Sequence, residues 1–212
     1  MADQAERLIH GSDCLREGAD WLCVVEPAFQ HVRDQIDEIP LRLRDDGFGA
    51  LMFAIVGQQV STASAAAIWA RVEAAGMVLP KTVAAASHEE LAALGLSRPK
   101  IRYAQALAGA GIDYPGLRAM RSDQVIATLT AVPGIGLWTA EIYALFALAR
   151  ADVFPAGDLA LQEATKLLFD LPARPKEKGM RSLALSWSPW RGVAARLLWA
   201  YYRVQKQREG IR

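Results

Sequence analysis

The stretch Leu129-Thr-Ala-Val-Pro-Gly-Ile-Gly-Leu-Trp-Thr-Ala-Glu141 carries the densest set of chemically suggestive residues in the chain. A helical run ends near Val132, Pro133-Gly134-Ile135-Gly136 makes a tight turn, and a second helical run starts at once. The two glycines let the backbone turn sharply and come close to another surface. The amides that follow stand at a helix N-terminus, where unpaired N–H groups and the positive dipole end suit a phosphate oxygen. This is the sequence of a helix-hairpin-helix, although a bare Pro-Gly-Ile-Gly also serves as a plain helix connection. Twenty residues after Trp138 comes Asp158, in Val153-Phe-Pro-Ala-Gly-Asp158. The intervening helix and loop can return this carboxylate to the mouth of the hairpin. An Asp after Gly and before a helix is also a common N-cap.

The elements that must position these residues are helical. Strand-like alternation is absent, whereas helix signals recur along the chain. Ser87 and Glu90 form a capping box, with Gly95 where a C-cap belongs. Ser97-Arg98-Pro99 opens another helix, since proline is tolerated in a first turn. Ser61 caps a run to about Ala75, and Ser122 a run to about Ala131. Further helical runs are Gly47–Val56, Leu137–Ala149, Leu161–Phe169, Lys178–Trp187 and Pro189–Gln207. The fold class expected is all-α, with roughly ten short helices.

Composition sets the outer bounds. The 212 residues are 52% apolar and 22% charged, which excludes a disordered chain. The 24 basic and 23 acidic residues nearly cancel, but unevenly. Residues 1–50 hold 5 basic and 11 acidic groups, whereas residues 174–212 hold 10 basic and 2 acidic. Residues 97–121 add Arg98, Lys100, Arg102, Arg118 and Arg121 against Asp113 alone. An electropositive face for a polyanion is compatible with this distribution, as are ordinary solvated helix faces. The opening residues show no signal peptide, and the longest charge-free stretch, Gly47 to Ala70, is interrupted by Gln58, Gln59 and Ser61 in a way unlike a membrane span. Cys14 and Cys23 match neither a metal-ligand spacing nor a disulfide framework. A reducing, cytoplasmic setting is expected, nucleoid-associated in a bacterium.

Four motifs in order, Ile55-Val-Gly-Gln-Gln-Val-Ser61, Pro133-Gly-Ile-Gly-Leu-Trp-Thr-Ala140, Asp152-Val-Phe-Pro-Ala-Gly-Asp158 and Trp187-Ser-Pro-Trp-Arg191 leading to Trp199, carry a resemblance. The chain resembles the helix-hairpin-helix, Gly/Pro-rich loop, aspartate superfamily of base-excision DNA glycosylases, and within it the 3-methyladenine DNA glycosylase II group. The resemblance implies a two-lobed helical fold with a central cleft: residues 47–150 as one lobe with the hairpin at about 122–149, and 1–46 plus 151–212 as the other. Some members carry an iron–sulfur module or an extra β-rich domain; with two cysteines and a short N-terminal segment, neither is expected here. The resemblance makes Asp158 the catalytic carboxylate, an anion that stabilises the positive charge built on the sugar when an N-glycosidic bond breaks. A lysine nucleophile stands at the place of Trp138 in relatives that also cleave the strand; an indole forms no Schiff base, so a monofunctional enzyme is expected. Trp138, Trp199 and Gln58 are the expected base pocket, with cation–π attraction favouring an N-alkylated purine. Trp69, Trp187 and Trp190 read as packing.

DNA contacts are expected from Gln59, Ser61, Gly134, Gly136, Thr139, Arg98 and Lys100, with Arg102 as a further candidate. No cofactor is required by this reading. The carbonyls of Thr130, Val132 and Ile135 are implied to hold a monovalent cation, Na⁺ or K⁺, near the phosphate. Gln59 is polar where relatives place an apolar wedge, and Ile142 replaces an aromatic found in some of them. The expected partner is double-stranded DNA with damaged bases, bound by a monomer without a membrane. Two other readings stay open: a glycosylase for a neutral lesion such as hypoxanthine, ethenoadenine or a mismatch, with Glu141 or a histidine as acid, and a non-catalytic hairpin protein that binds DNA or another protein.

Overall fold

The computed structural model describes residues 6–208; residues 1–5, part of the opening stretch read for a targeting signal, and 209–212 lie outside the described residues. Its helices are α1 Ser12–Val25, α2 Ala28–Arg33, α3 Phe48–Gly57, α4 Thr62–Ala74, α5 Pro80–Ala85, α6 His88–Ala93 and α7 Arg98–Gly109. They continue with α8 Tyr114–Leu117, α9 Ser122–Thr130, α10 Leu137–Phe146, α11 Leu159–Leu168, α12 Glu177–Leu183, the 3₁₀ turn Ala184–Trp187 and α13 Arg191–Arg208. The fold is all-α, with one isolated bridge, Leu8 to Arg150, in place of any strand among the described residues. No helix there is long and apolar enough to cross a membrane.

The chain forms two compact units, residues 44–143 and residues 1–43 with 144–212. Their boundaries lie a few residues earlier than the lobes expected at 47 and 151, and the second falls inside α10. In the 44–143 unit, α3 buries Phe48, Leu51, Met52, Ile55 and Val56 and packs on α4 and α7. A helix so apolar is a core element by composition alone. In the other unit, α13 is the spine against which α1, α2 and α11 pack.

Local chemistry sets most helix ends. The Ser61 hydroxyl accepts the Ser64 N–H at 3.2 Å. Ser87 and Glu90 exchange bonds of 3.1 and 2.7 Å between side chain and backbone, a complete capping box. Three of the ends that differ from expectation have a visible local cause. The cap of α9 is Arg121, whose N–H donates to the Gln124 side chain at 3.1 Å, and Ser122 is the first helical residue. α10 stops at Phe146 rather than Ala149, because Ala149 adopts φ +57° and the Arg150 N–H returns to the Ala144 carbonyl. α11 starts at Leu159, two residues early, because Asp158 caps it.

The start of α13 lies directly on backbone. The Gly192 N–H donates to the Ala151 carbonyl at 2.7 Å. A Cβ on Gly192 would sit 2.8 Å from the Ala151 oxygen and 3.1 Å from that of Arg150, atoms that cannot swing aside. Gly192→Ala is therefore expected to destabilise the protein by about 2 kcal/mol in urea unfolding, against the roughly 1 kcal/mol that alanine otherwise contributes within a helix. Gly109→Ala, at an open helix end, should be neutral or stabilising by less than about 1 kcal/mol.

Candidate functional site

In the 44–143 unit the hairpin is built as a closed turn. The Val132 N–H donates to the Leu129 carbonyl and the Ile135 N–H to the Val132 carbonyl, both at 3.1 Å. Gly134 takes φ +93° and rests on Tyr103 of α7, so closely that a Cβ would lie 2.3 Å from the Tyr103 Cγ. Gly136 is exposed, with nothing within 4 Å of where its Cβ would be. The first intrahelical bond of α10 runs from Ala140 to the Gly136 carbonyl, so the residues from Leu137 to Thr139 form the helix's N-terminal turn. Leu137 and Trp138 are 42% and 47% exposed, whereas Thr139 is buried.

Around the turn, expected and observed roles part in places. The Gln58 side-chain amide, expected to read a base, donates to the Gly134 carbonyl at 2.8 Å and so ties the end of α3 to the hairpin. Gln59 is exposed and sits at φ +57°, a conformation that costs a residue with a side chain about 1–2 kcal/mol. Ser61 is exposed and uses its hydroxyl as the cap of α4. Arg98 and Arg102 are exposed, four residues apart on α7.

Lys100, expected among the phosphate contacts, is buried instead. Its ammonium donates to the Val56 carbonyl at 2.7 Å, and burial pushes its pKa below the ordinary lysine value. It serves the negative end of α3 and cannot also hold a phosphate.

In the unit formed by 1–43 and 144–212, Asp158 is an N-cap. One carboxylate oxygen, Oδ1, accepts from the Ala160 N–H at 2.9 Å, the Leu161 N–H at 3.0 Å and the Trp199 indole N–H at 3.1 Å. The half-buried Trp199 ring lies against Phe146, centroids 5.6 Å apart with planes 31° from parallel. The loop before Asp158 is closed on itself, by the Asp158 N–H on the Pro155 carbonyl at 2.9 Å and the Gln162 side chain on the Ala156 carbonyl at 3.0 Å.

The far end of that loop is held by a pair that motif spacing did not reveal. Arg191 forks onto Asp152 with Nε to Oδ1 and Nη2 to Oδ2, each 2.8 Å, and the Ser188 hydroxyl adds a 2.7 Å bond. α13 thus grips the 152–158 loop at both ends, through Arg191 and through Trp199.

The remaining aromatics pack as expected. Trp187 is enclosed by Phe29, Phe154 and Phe169, Trp69 meets Phe53 edge-on, and Trp190 is buried. All three histidines are exposed, and Glu141 is buried in α10. Among the described residues no three His, Cys, Asp or Glu side chains are grouped to hold a metal ion.

The contrast along α7 is testable by salt titration of duplex binding. With the phosphate contact expected of Arg98, its replacement Arg98→Ala should lower the slope of log affinity against log salt by about one unit. Lys100→Met should leave that slope unchanged and lower stability by about 1–2 kcal/mol through the lost bond to Val56.

Comparison with known proteins places this geometry in a family. The pattern of the HhH-GPD superfamily of base excision DNA repair proteins matches residues 52–189. The chain is 32% identical over 168 residues to DNA-3-methyladenine glycosylase 2 of Escherichia coli, covering 73% of this chain and 57% of that protein. It spans about half the length of the curated relatives it matches. Among solved structures, DNA-3-methyladenine glycosidase of Bacillus halodurans superposes with TM-score 0.79 at 30% identity, covering 87% of this chain and 88% of that one. The 3-methyladenine DNA glycosylase Mag1 of fission yeast, solved in complex with abasic DNA, gives TM-score 0.74 at 26% identity, covering 86% and 95%. The chain belongs to the HhH-GPD superfamily of base excision DNA repair proteins.

Proposed function

We propose that this protein is a monofunctional DNA glycosylase that releases N-alkylated purines, 3-methyladenine and 7-methylguanine, from double-stranded DNA as a monomer. The observation that carries the reading is Asp158, whose Oδ1 is held by two helix-end amides and the Trp199 indole. A cap alone needs no indole from a helix forty residues on. A carboxylate that must face a sugar does need its orientation fixed from more than one direction.

In the proposed reaction the damaged nucleotide leaves the stack and its base stacks on an indole face, for which Trp138, 47% exposed, and the half-buried Trp199 are the candidates. A cationic base is attracted to a π-face and is a good leaving group. The N-glycosidic bond breaks with its electron pair going to the base. Asp158 stabilises the positive charge that develops on the sugar and orients water, whose oxygen bonds to C1′ while its proton passes to the carboxylate. With Trp138 where a lysine would act, no Schiff base forms and an intact abasic strand remains.

The hairpin supplies the phosphate grip in this reading, through the backbone at Gly134, Gly136 and Thr139, with Arg98, Gln59 and Ser61 exposed on the same unit. Its carbonyls are the proposed seat of a monovalent cation. Among the described residues the Thr130 and Ile135 carbonyls accept no backbone N–H, and the Val132 carbonyl accepts only that of Ile135. Such an ion supplies positive potential beside the phosphate. The neutral-lesion reading needs a proton donor; none of the histidines stands in the hairpin or in the 152–158 loop, and Glu141, the remaining candidate, is buried in α10.

Two outcomes test the proposal. Asp158→Asn should bind abasic duplex as the parent does and release 7-methylguanine about 10²–10³ times more slowly, measured by chromatography of bases freed from methylated DNA. Comparable release by the variant would reject the carboxylate's role. The parent should free 7-methylguanine but not hypoxanthine, and should leave product strands uncut until alkali or heat is applied. Cutting without such treatment would contradict the monofunctional assignment.

A further inference from the structure

Arg196 is a fully buried guanidinium that the proposed reaction does not use. Its hydrogen bonds go to carbonyls alone: Nε to Leu41 at 3.2 Å, Nη1 to Gly192 at 2.9 Å and Nη2 to Leu145 at 3.2 Å. Among the described residues no carboxylate pairs with it, and the charged group that it feels most is the like-charged Arg42. Burial, and then Arg42, push its pKa down to about 10. A buried cation without a counterion is expensive, and an apolar residue of similar size would fill the same space at lower cost. Its position therefore asks for a task.

The task is visible in what the guanidinium touches. It lies over the Phe146 ring, 4.8 Å from the centroid, and Phe146 is the ring that Trp199 packs against. Arg196 and Trp199 are three residues apart on α13, so one helix face presents both to Phe146. Trp199 in turn donates its indole N–H to Asp158. The Leu145 carbonyl that Arg196 holds is the backbone beside Phe146, which fixes that ring at its root as well as at its face.

We propose that Arg196 is a positioning residue: it clamps Phe146 so that the Trp199 indole keeps its bond to Asp158. The proposal rests on the catalytic reading of Asp158 given above. Carbonyls and a ring face are well suited to the work, since they hold the cation without placing a second carboxylate that would compete with Asp158 for the indole N–H.

The test is a double-mutant cycle on the chemical step. Release of 7-methylguanine is followed in single turnover with enzyme in excess, alongside affinity for abasic duplex and the urea midpoint. Arg196→Met and Trp199→Phe should each slow the chemical step by about tenfold or more while duplex affinity stays within about twofold. The double variant should be no slower than the slower single one, because both changes break the same chain of contacts. Arg196→Lys keeps the charge without the fork; it should fall between parent and Arg196→Met, and it remains informative if Arg196→Met does not fold. A folded Arg196→Met or Arg196→Lys that reacts at the parent rate would overturn the proposal, and so would fully additive effects in the double variant. Asp158→Asn run in parallel separates the two readings. If that variant stays active, the catalytic reading fails; if it is inactive while Arg196→Met is unimpaired, only the positioning role fails.

Discussion

One oxygen of one carboxylate organises the unit that contains it. Three N–H groups converge on Oδ1 of Asp158, two from the first turn of α11 and one from the Trp199 indole. Hydrogen bonds to a charged acceptor are worth about 1.5–3 kcal/mol each, enough to fix the carboxyl group against rotation. Capping is therefore compatible with the catalytic role proposed for this residue. The bonds that start the helix also fix the carboxylate, and the indole adds a constraint from α13. Because α13 also holds Asp152 through Arg191, the loop between the two aspartates is set at both ends by a single helix.

The other unit applies the same logic to backbone. Its hairpin would be an ordinary connection were it not tied down, and two ties lie at its centre. Gln58 bonds to the Gly134 carbonyl from one side and Tyr103 supports Gly134 from another. Lys100 then fixes the last turn of α3, from which Gln58 extends. In the proposed phosphate contact such preorganised amides would need no ordering on binding, so rigidity would count toward affinity.

Much of this was legible in the chain because it is local. The caps at Ser61 and Ser87, the Pro-Gly-Ile-Gly turn and the Gly-Asp approach to α11 each lie within a few residues and follow from side-chain chemistry. Lys100 was misread because counting charge ignores direction. On α7 it shares the buried stripe of Ile101, Ala104 and Leu107, while Arg98 and Arg102 lie outside it, a distinction that helical periodicity contains. Arg196 falls in the same way among the buried residues from Val193 to Tyr201 of α13. α1 was missed although Leu15, Gly18, Ala19 and Leu22 carry a helical spacing. The Asp152–Arg191 fork joins residues thirty-nine positions apart, and nothing local announces it. Gln58 illustrates a different limit: its amide's bond to the Gly134 carbonyl spans seventy-six positions and is visible only in coordinates.

The seating of Gly134 on Tyr103 has a consequence for sequence drift. The glycine is usually taken as a sign of a pliant turn, yet here it is the thin half of a lock whose thick half is an aromatic ring on α7. Neither half tolerates exchange alone, since a smaller residue at 103 opens a void and a larger one at 134 collides. These two sites, thirty-one positions apart, are bound to evolve as a pair, and grafting this hairpin onto another scaffold will succeed only when its ring travels with it.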